Sequence, residues 1–338
     1  MDDQSSSFLV AQRAGRAFVM ARNNIDGTGW LVEQRDSTVV QRFVRTSVIE
    51  DEFRTINMTS NTVRIPRIDD MDIDIIPKGS AYGEDTSSAD TIAISASKFA
   101  KALRIAEEDV DDDKLADFLG EKKASAASSF AKKLDNAGIG VTAASGGPGS
   151  TVPFTSLYRT LSQADATTGY SAGTNLLSGG AITYDLLNQL LAIVETSDYY
   201  DETSVVAVAH PAFRQVLRGL KDGQGRPLFL QDVVNGNAID TILGRRIRYT
   251  VGAKTSAVAV TNNAGTGGAK GAAGNPLFGF VNTQYAVVGK RSPLESVVIP
   301  GRDGLAGLTD EDILKVRARR AVGYTIPSAH SLFELTSA

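Results

Sequence analysis

"VVAVAHPAFRQVLRGLKDGQGRPLF", residues 205–229, runs from an apolar stretch through a histidine into a proline-started segment and a glycine-punctuated basic turn. It admits two readings. As an active site, His210 would act with a carboxylate such as Asp185 or Asp222 in an α/β hydrolase or transferase. As scaffolding, "VVAVA" is a strand apolar on both faces and therefore central in a sheet. Pro211 then opens a helix, where its missing N–H has no intrahelical partner to lose, and Phe213, Val216, Leu217 and Leu220 form that helix's apolar side. Neither a Gly-x-Ser-x-Gly elbow nor a His-Glu-x-x-His helix accompanies the histidine. "KDGQGRPLF" follows a helix and leads into a strand, the reverse of the order in which a glycine loop cradles phosphate. The scaffolding reading is the better one, with His210 as a cap or hinge residue.

Working outward, Thr183 caps a preceding helix whose Leu186, Leu187, Leu190, Leu191 and Val194 make a broad apolar stripe. Residues 142–181 are low in charge and rich in Gly, Ser, Thr and Ala, as in a loop-rich connection or a domain boundary. Downstream, "AGTGGAKGAAG", residues 264–274, fails as a phosphate loop because Lys270 is followed by Gly271 and no Ser or Thr is placed for a metal. A flexible tip between strands is the better use for it. In "DILKVRARRAVGYTIPSAH" Lys315, Arg317 and Arg319 alternate with Val316, Ala318 and Arg320 on a strand that ends by Pro327. Such a basic stripe suits phosphates or the acidic surfaces of neighbouring subunits, although ion-paired surface is the commoner arrangement.

The first third of the chain has a different texture. Residues 7–22, "SFLVAQRAGRAFVMAR", place Phe8, Ala11, Ala14 or Gly15, and Phe18 at helical spacing, with Arg13, Arg16 and Arg22 off that stripe, as a short amphipathic arm. From Thr62 to Ile105 the period changes to two. Met71, Ile73 and Ile75 alternate with aspartates, and Ile92, Ile94 and Ala96 with small or polar residues, so both runs read as strands of a long hairpin around "PKGSAYGEDTSSAD". Acidic residues outnumber basic ones there, and no nearby segment could cover the hairpin's lightly apolar face. An isolated two-stranded ribbon is marginal in water and its open edges invite pairing, so something outside must hold it. Leu115, Phe118, Leu119, Ala126, Phe130 and Leu134 then mark a long helix with acidic residues at its start and Gly138 as its stop. Asp109, Asp111 and Asp113 resemble the start of a calcium loop, but Lys114 and Gly120 stand where that loop needs Gly and Glu.

Composition bounds the function. The chain has 338 residues, 42% of them hydrophobic and 22% charged, enough for two or three cores. It has no cysteine, which excludes disulfides and thiolate chemistry, and only two histidines, His210 and His330, which leaves a zinc site short of its usual ligands. No metal or cofactor is expected. The net charge of −4 argues against a dedicated nucleic-acid binder. There is neither a secretory signal nor a membrane-spanning stretch, so the expected place of synthesis and folding is the cytosol.

In order and spacing these pieces resemble the major capsid protein family of tailed bacteriophages, with its Hong Kong 97-type fold. The marks are the strand with a Pro-started helix, the Lys-Asp-Gly-x-Gly-Arg turn, "TILGRRIRYT", "FGFVNTQYAVVGKRSPLESVV", and the last strand with "AVGYTIPSAHSLFEL". The resemblance runs from about residue 38 to the end and is strongest between Val205 and Leu335. It implies an α+β fold with an N-terminal arm over 1–50, an E-loop hairpin and its base over 51–106, and a P-domain spine helix (113–137) and connection within 107–182. It further implies an α/β A-domain over 183–298 and P-domain C-terminal strands over 299–338. The function implied is a structural one, self-assembly as pentamers and hexamers into an icosahedral virion shell around double-stranded DNA bound without sequence specificity, completed in the host cytoplasm.

On that likeness the contact residues are Lys78, Tyr82, Gly83, Glu84 and Asp85 at the E-loop tip, Phe8, Arg13, Arg16 and Phe18 in the arm, and the stripe Lys315, Arg317 and Arg319. A portal and a scaffolding protein are expected partners, a cement or decoration protein is a further candidate, and no membrane is involved. Some relatives cross-link an E-loop lysine to a P-domain asparagine with help from a glutamate. Here Asp310 and Arg317 stand at the last two positions, and "YGEDTSS" lacks a lysine, Lys78 lying earlier, so the shell is expected to be noncovalent. Many relatives also begin with a removable helical scaffold, whereas Met1 leads directly into the arm, so the scaffold is expected to be separate or dispensable. An encapsulin-type nanocompartment, the same fold enclosing enzymes, is the nearest alternative.

Overall fold

The computed structural model describes residues 46–68, 73–84, 89–106, 118–221, 229–234, 237–259, 274–299 and 311–336. The arm residues Phe8, Arg13, Arg16 and Phe18, the tip residue Asp85, the aspartates 109–113, Asp222 with its turn, the glycine-rich tip at 264–273 and Asp310 lie outside them. In chain order come α1 (Val48–Glu52), β1 (Arg54–Asn57), β2 (Thr62–Ile68), β3 (Ala89–Ser95), β4 (Ser97–Ala106) and the long helix α2 (Phe118–Ile139). They are followed by α3 (Leu157–Leu161), β5 (Leu176–Gly179), α4 (Tyr184–Glu195), β6 (Val205–Ala209), α5 (Phe213–Gly219) and β7 (Phe229–Val234). The last are β8 (Asn237–Ile242), β9 (Arg245–Tyr249), β10 (Leu277–Asn282), β11 (Ala286–Ile299), β12 (Glu311–Tyr324) and β13 (His330–Leu335).

A seven-stranded sheet, ordered β5-β13-β10-β6-β9-β8-β7, carries one core. Its β6 is buried at every residue, as the unbroken apolar run requires, between antiparallel β10 and parallel β9. Val205, Ala207 and Ala209 meet Leu187, Leu190 and Val194 of α4 and Phe213 and Leu217 of α5, while Val208 faces a second cluster with Val281, Leu277 and Leu332. Thr183 caps α4 by accepting a bond from the Leu186 N–H. α5 begins at Phe213, one short turn after Pro211, and Val216 is 42% exposed, so its apolar side is narrower than its spacing suggested. Between β8 and β9 both Leu243 (φ 49°) and Gly244 (φ 75°) are left-handed, the turn that suits the twist of a tight hairpin.

The second sheet, β1-β11-β12-β4, is built on two fourteen-residue strands, β11 and β12. The C-terminal half of α2 packs on it through Leu134, Ala137 and Ile139 against Val322 and Tyr324. Gly138 does not stop α2, which continues to Ile139. Its place is set by close approach, since a Cβ there would lie 2.4 Å from Ile49 Cδ1. After β5 the chain changes sheets twice, at 283–285 between β10 and β11 and at 325–329 between β12 and β13. The boundary drawn at 298–299 lies between these crossings, at the end of β11.

β2 and β3 form the separate antiparallel hairpin, with Thr62 opposite Ser95 and Ile68 opposite Ala89. Here the expectation needs correction. Of "MDIDII", Met71 and Asp72 lie outside the described residues, and 73–76 are not a strand: Ile73 and Ile75 are 85% and 101% exposed, and the arm paired with β3 is "TVRIPRI" at 62–68. Strict alternation marks one face for burial only if a second layer exists, and among the described residues none covers 73–76. The second arm is as expected, with Ile94 buried against the body and Ile92 packed beside it.

Candidate functional site

The hairpin's far end is an exposed excursion. Pro77–Ser80 is a tight turn closed by Ser80 N–H donating to the Pro77 carbonyl at 3.1 Å, with Gly79 at φ 91° as the third residue of such a turn requires. Lys78 therefore sits at its corner, exposed, and Tyr82 is 90% exposed. Gly83 and Glu84 follow, also exposed, and a Cβ at Gly83 would meet Asp74 Oδ2 at 3.0 Å. Among the described residues Ile68, Ile73, Ile75 and Tyr82 are thus each exposed, on segments that also carry the exposed Asp74 and Glu84.

The basic stripe lies on β12, but the clean in–out alternation holds only from Arg317 to Arg320. Arg317 and Arg319 are exposed and Lys315 is partly so. Directly opposite residues of antiparallel strands share a face, and opposite Arg319 stands Lys98 of β4, which the sequence did not single out. Arg317 pairs with Glu295 of β11 at 3.0 Å, so one member of the stripe is neutralised within the chain. Lys315 and Arg319 make no ion pair among the described residues. Leu294 and Val297, 37% and 44% exposed, add apolar area on β11 beside them. Arg320, on the other face, is buried, paired with Glu50 and laid 5.5 Å over the Phe130 ring.

Helix α1 joins the two sheets. Glu50 holds Arg320 of β12, while Asp51 and Glu52 reach Arg248 of β9 at 2.9 and 3.0 Å and Glu52 also holds Arg246. Its N-terminus is capped from a distance by Asp135 of α2. That wholly buried carboxylate accepts from Ser47 Oγ and Thr250 Oγ1 at 2.5 Å and from the N–H groups of Val48 and Ile49 at 3.2 and 3.3 Å. Burial pushes the Asp135 carboxyl up from its ordinary value, and the four donors pull against that. At the second crossing His330 is fully buried: Nδ1 accepts from the Asn282 N–H at 3.2 Å, Nε2 has no partner, and the ring meets Tyr324 edge-on. Burial lowers its pKa from 6.5 to about 3, so it is neutral at any working pH.

The opening histidine is placed as a local cap. His210 Nδ1 accepts from the Ala212 N–H at 3.1 Å and its own N–H donates to the Leu277 carbonyl at 2.9 Å, while Asp185 lies in the first turn of α4. Among the described residues no three His, Asp or Glu side chains are grouped to hold a metal, and no helix is long and apolar enough to cross a membrane.

Two sheets joined by α1, a long helix on the paired long strands, and a projecting hairpin make up the Hong Kong 97-type capsid fold. Similar solved structures are the capsid of a native GTA particle (15% identity, TM-score 0.64, covering 91% of this chain and 96% of that one) and those of Microbacterium phage Oxtober96 (19%, 0.63, 92% and 98%) and Mycobacterium phage Bobi (17%, 0.63, 90% and 96%). At these identities the likeness is one of fold. No curated protein matches the chain. Residues 27–290 match the Phage capsid family, and the chain belongs to it. It is a major capsid structural protein whose place is the virion capsid, and neither the encapsulin nor the hydrolase alternative is favoured.

Proposed function

We propose that this chain builds, as pentamers and hexamers, an icosahedral shell around a double-stranded DNA genome, without catalysis and without covalent cross-links. The observation that carries this reading is the hairpin end, where Ile73, Ile75 and Tyr82, with Asp74 and Glu84, are exposed among the described residues. Covering it on neighbours converts that apolar surface into interface, and a closed assembly of many copies does so at every position. Of the two uses weighed for the basic stripe, acidic neighbouring surface fits better. Lys315, Arg319 and Lys98 with Val297 and Leu294 offer charge and apolar area opposite in sign and similar in kind to the hairpin end. Packaged DNA is then held by non-specific contacts inside. The arm over 1–50 and the E-loop, P-domain and A-domain divisions are assigned on the family resemblance. A portal and a scaffolding protein are the expected partners, a decoration protein is a candidate addition, and assembly takes place in the host cytoplasm.

Electron microscopy of the chain expressed alone, and of its native particle, tests the reading. Closed icosahedral shells with DNA in the native particle are expected. Shells filled with a protein cargo would return the encapsulin alternative, and a small uniform oligomer under all conditions would overturn the assembly reading. For the stripe, Lys315→Glu with Arg319→Glu should lower shell yield; unchanged yield and unchanged DNA content would remove these residues from assembly.

A further inference from the structure

We infer that Arg67 is a positioning residue that couples the orientation of the hairpin to the junction between the two sheets. Arg67 stands on β2, where an arginine on a hairpin would ordinarily point to water, yet its side chain is 8% exposed. One edge of its guanidinium holds Asp90, its cross-strand partner on β3, with Nε donating to Oδ1 at 2.8 Å and NH2 to Oδ2 at 2.5 Å. Another edge leaves the hairpin altogether: NH1 donates to Asp165 Oδ2 at 2.5 Å and to the Thr325 carbonyl at 2.8 Å, and NH2 reaches Asp165 Oδ1 at 3.3 Å. Thr167 Oγ1 donates to Asp90 Oδ2 at 3.0 Å, so the loop grips the hairpin a second time. The Arg67 hydrogen bond is the main reason the Asp90 carboxyl titrates below its ordinary value, and the two carboxylates raise Arg67 further above its own.

The groups at the far side of this clasp belong to the place where the chain changes sheets. Thr325 begins the second crossing, and its N–H donates to the Tyr285 carbonyl of the first crossing at 2.9 Å. The loop that carries Asp165 also holds the second crossing from behind: Asn175 Nδ2 donates to the His330 and Ser328 carbonyls at 2.7 and 3.2 Å, and Tyr170 anchors that loop through its hydroxyl to the Leu161 carbonyl. Bidentate arginine–carboxylate pairs are directional, so they transmit rotation as well as position. A bend at the crossings therefore moves Asp165 and the Thr325 carbonyl, and Arg67 either follows, swinging the hairpin, or lets go. One chain that has to fit both fivefold and sixfold surroundings needs such a coordinated pair of motions. That use rests on the shell reading above, whereas the coupling itself does not.

The test is amide hydrogen exchange on the full-length chain. Arg67→Ala should speed exchange in β2 and β3 and also at 283–285 and 325–329, by a factor on the order of 10, within the range usual for coupling between sites. Asp165→Asn, outside the hairpin, should speed exchange within β2 and β3, and the fold-change of the double variant should fall short of the product of the two single fold-changes. Unchanged protection of β6 and β10 certifies the fold. If Arg67→Ala loses it, Arg67→Lys, which keeps the charge but cannot make the two-edged grip, carries the same criteria. Faster exchange confined to the hairpin in the Arg67 variant, or an unaltered hairpin in Asp165→Asn, would overturn the coupling. Shell formation is scored separately by microscopy, so a chain that forms no shells yet shows the coupled exchange counts against the shell reading alone.

Discussion

β6 and β2 are both short strands, but β6 is buried at every residue while β2 alternates between exposed and half-buried positions. The difference lies in the number of layers. β6 has a strand on each side and apolar clusters on both faces, whereas the hairpin touches the body along one side, mainly through Ile94 at Gly323 and the Arg67 clasp. Apolar residues in the seven-stranded sheet hold the chain together. Those at the hairpin's end are exposed among the described residues, and on the shell reading proposed above they meet neighbouring copies. Substitutions in the two regions should therefore separate stability from assembly.

The largest effect is expected at Phe278→Ala. Phe278 is fully buried, with Phe280 and Phe213 edge-on at 5.5 and 5.8 Å, so truncation should cost about 3–5 kcal/mol in denaturant unfolding, with loss of shells following from loss of fold. A cost below about 1 kcal/mol would mean that this sheet does not carry the core assigned to it. Asp135→Ala comes next, about 2–4 kcal/mol, because it strands two hydroxyls and two N–H groups that now share one buried acceptor. Asp135→Asn should cost less, since a carbonyl oxygen remains to accept.

A third prediction uses acidity. His330 has a folded pKa of about 3 against an ordinary 6.5, so the unfolded chain takes up the proton first. Its contribution is complete above pH 6.5 and falls as the pH drops toward 3, amounting to about 2 kcal/mol between pH 7 and pH 5. His330→Gln should flatten that part of the stability–pH curve; an unchanged slope would show that His330 is not the group responsible. The smallest effect on stability belongs to the hairpin end. Ile75→Ser and Tyr82→Ser should leave unfolding within about 0.5 kcal/mol of the parent, as exposed positions do, while lowering shell yield. Unfolding shifts comparable to those of Phe278→Ala would erase the distinction between the two regions.

Much of the fold could be read locally. The unbroken apolar run of β6, the Thr183 cap, the α4 stripe and the Ile92–Ile94 alternation all survive in place, because each is set by neighbours two to four residues away. "MDIDII" shows where that reading fails: its period is a strand's, but among the described residues no partner strand or covering layer meets 73–76. The hairpin end was legible as an uncovered surface. Arg67 and Asp135 were not, since nothing near an arginine on a strand, or an aspartate late in a helix, announces partners 98 or 88 residues away.

By itself the sequence determined the class of fold, the order of its elements and the absence of thiol chemistry, because periodicity, caps and composition are properties of short stretches. Only the tertiary structure decided which strands share a sheet, that Gly138 is set by the Ile49 side chain instead of ending a helix, that Lys98 joins the basic face, and that one guanidinium ties the hairpin to the crossings. Those choices depend on register and close approach between distant segments, where a shift of one residue turns a side chain to the opposite face.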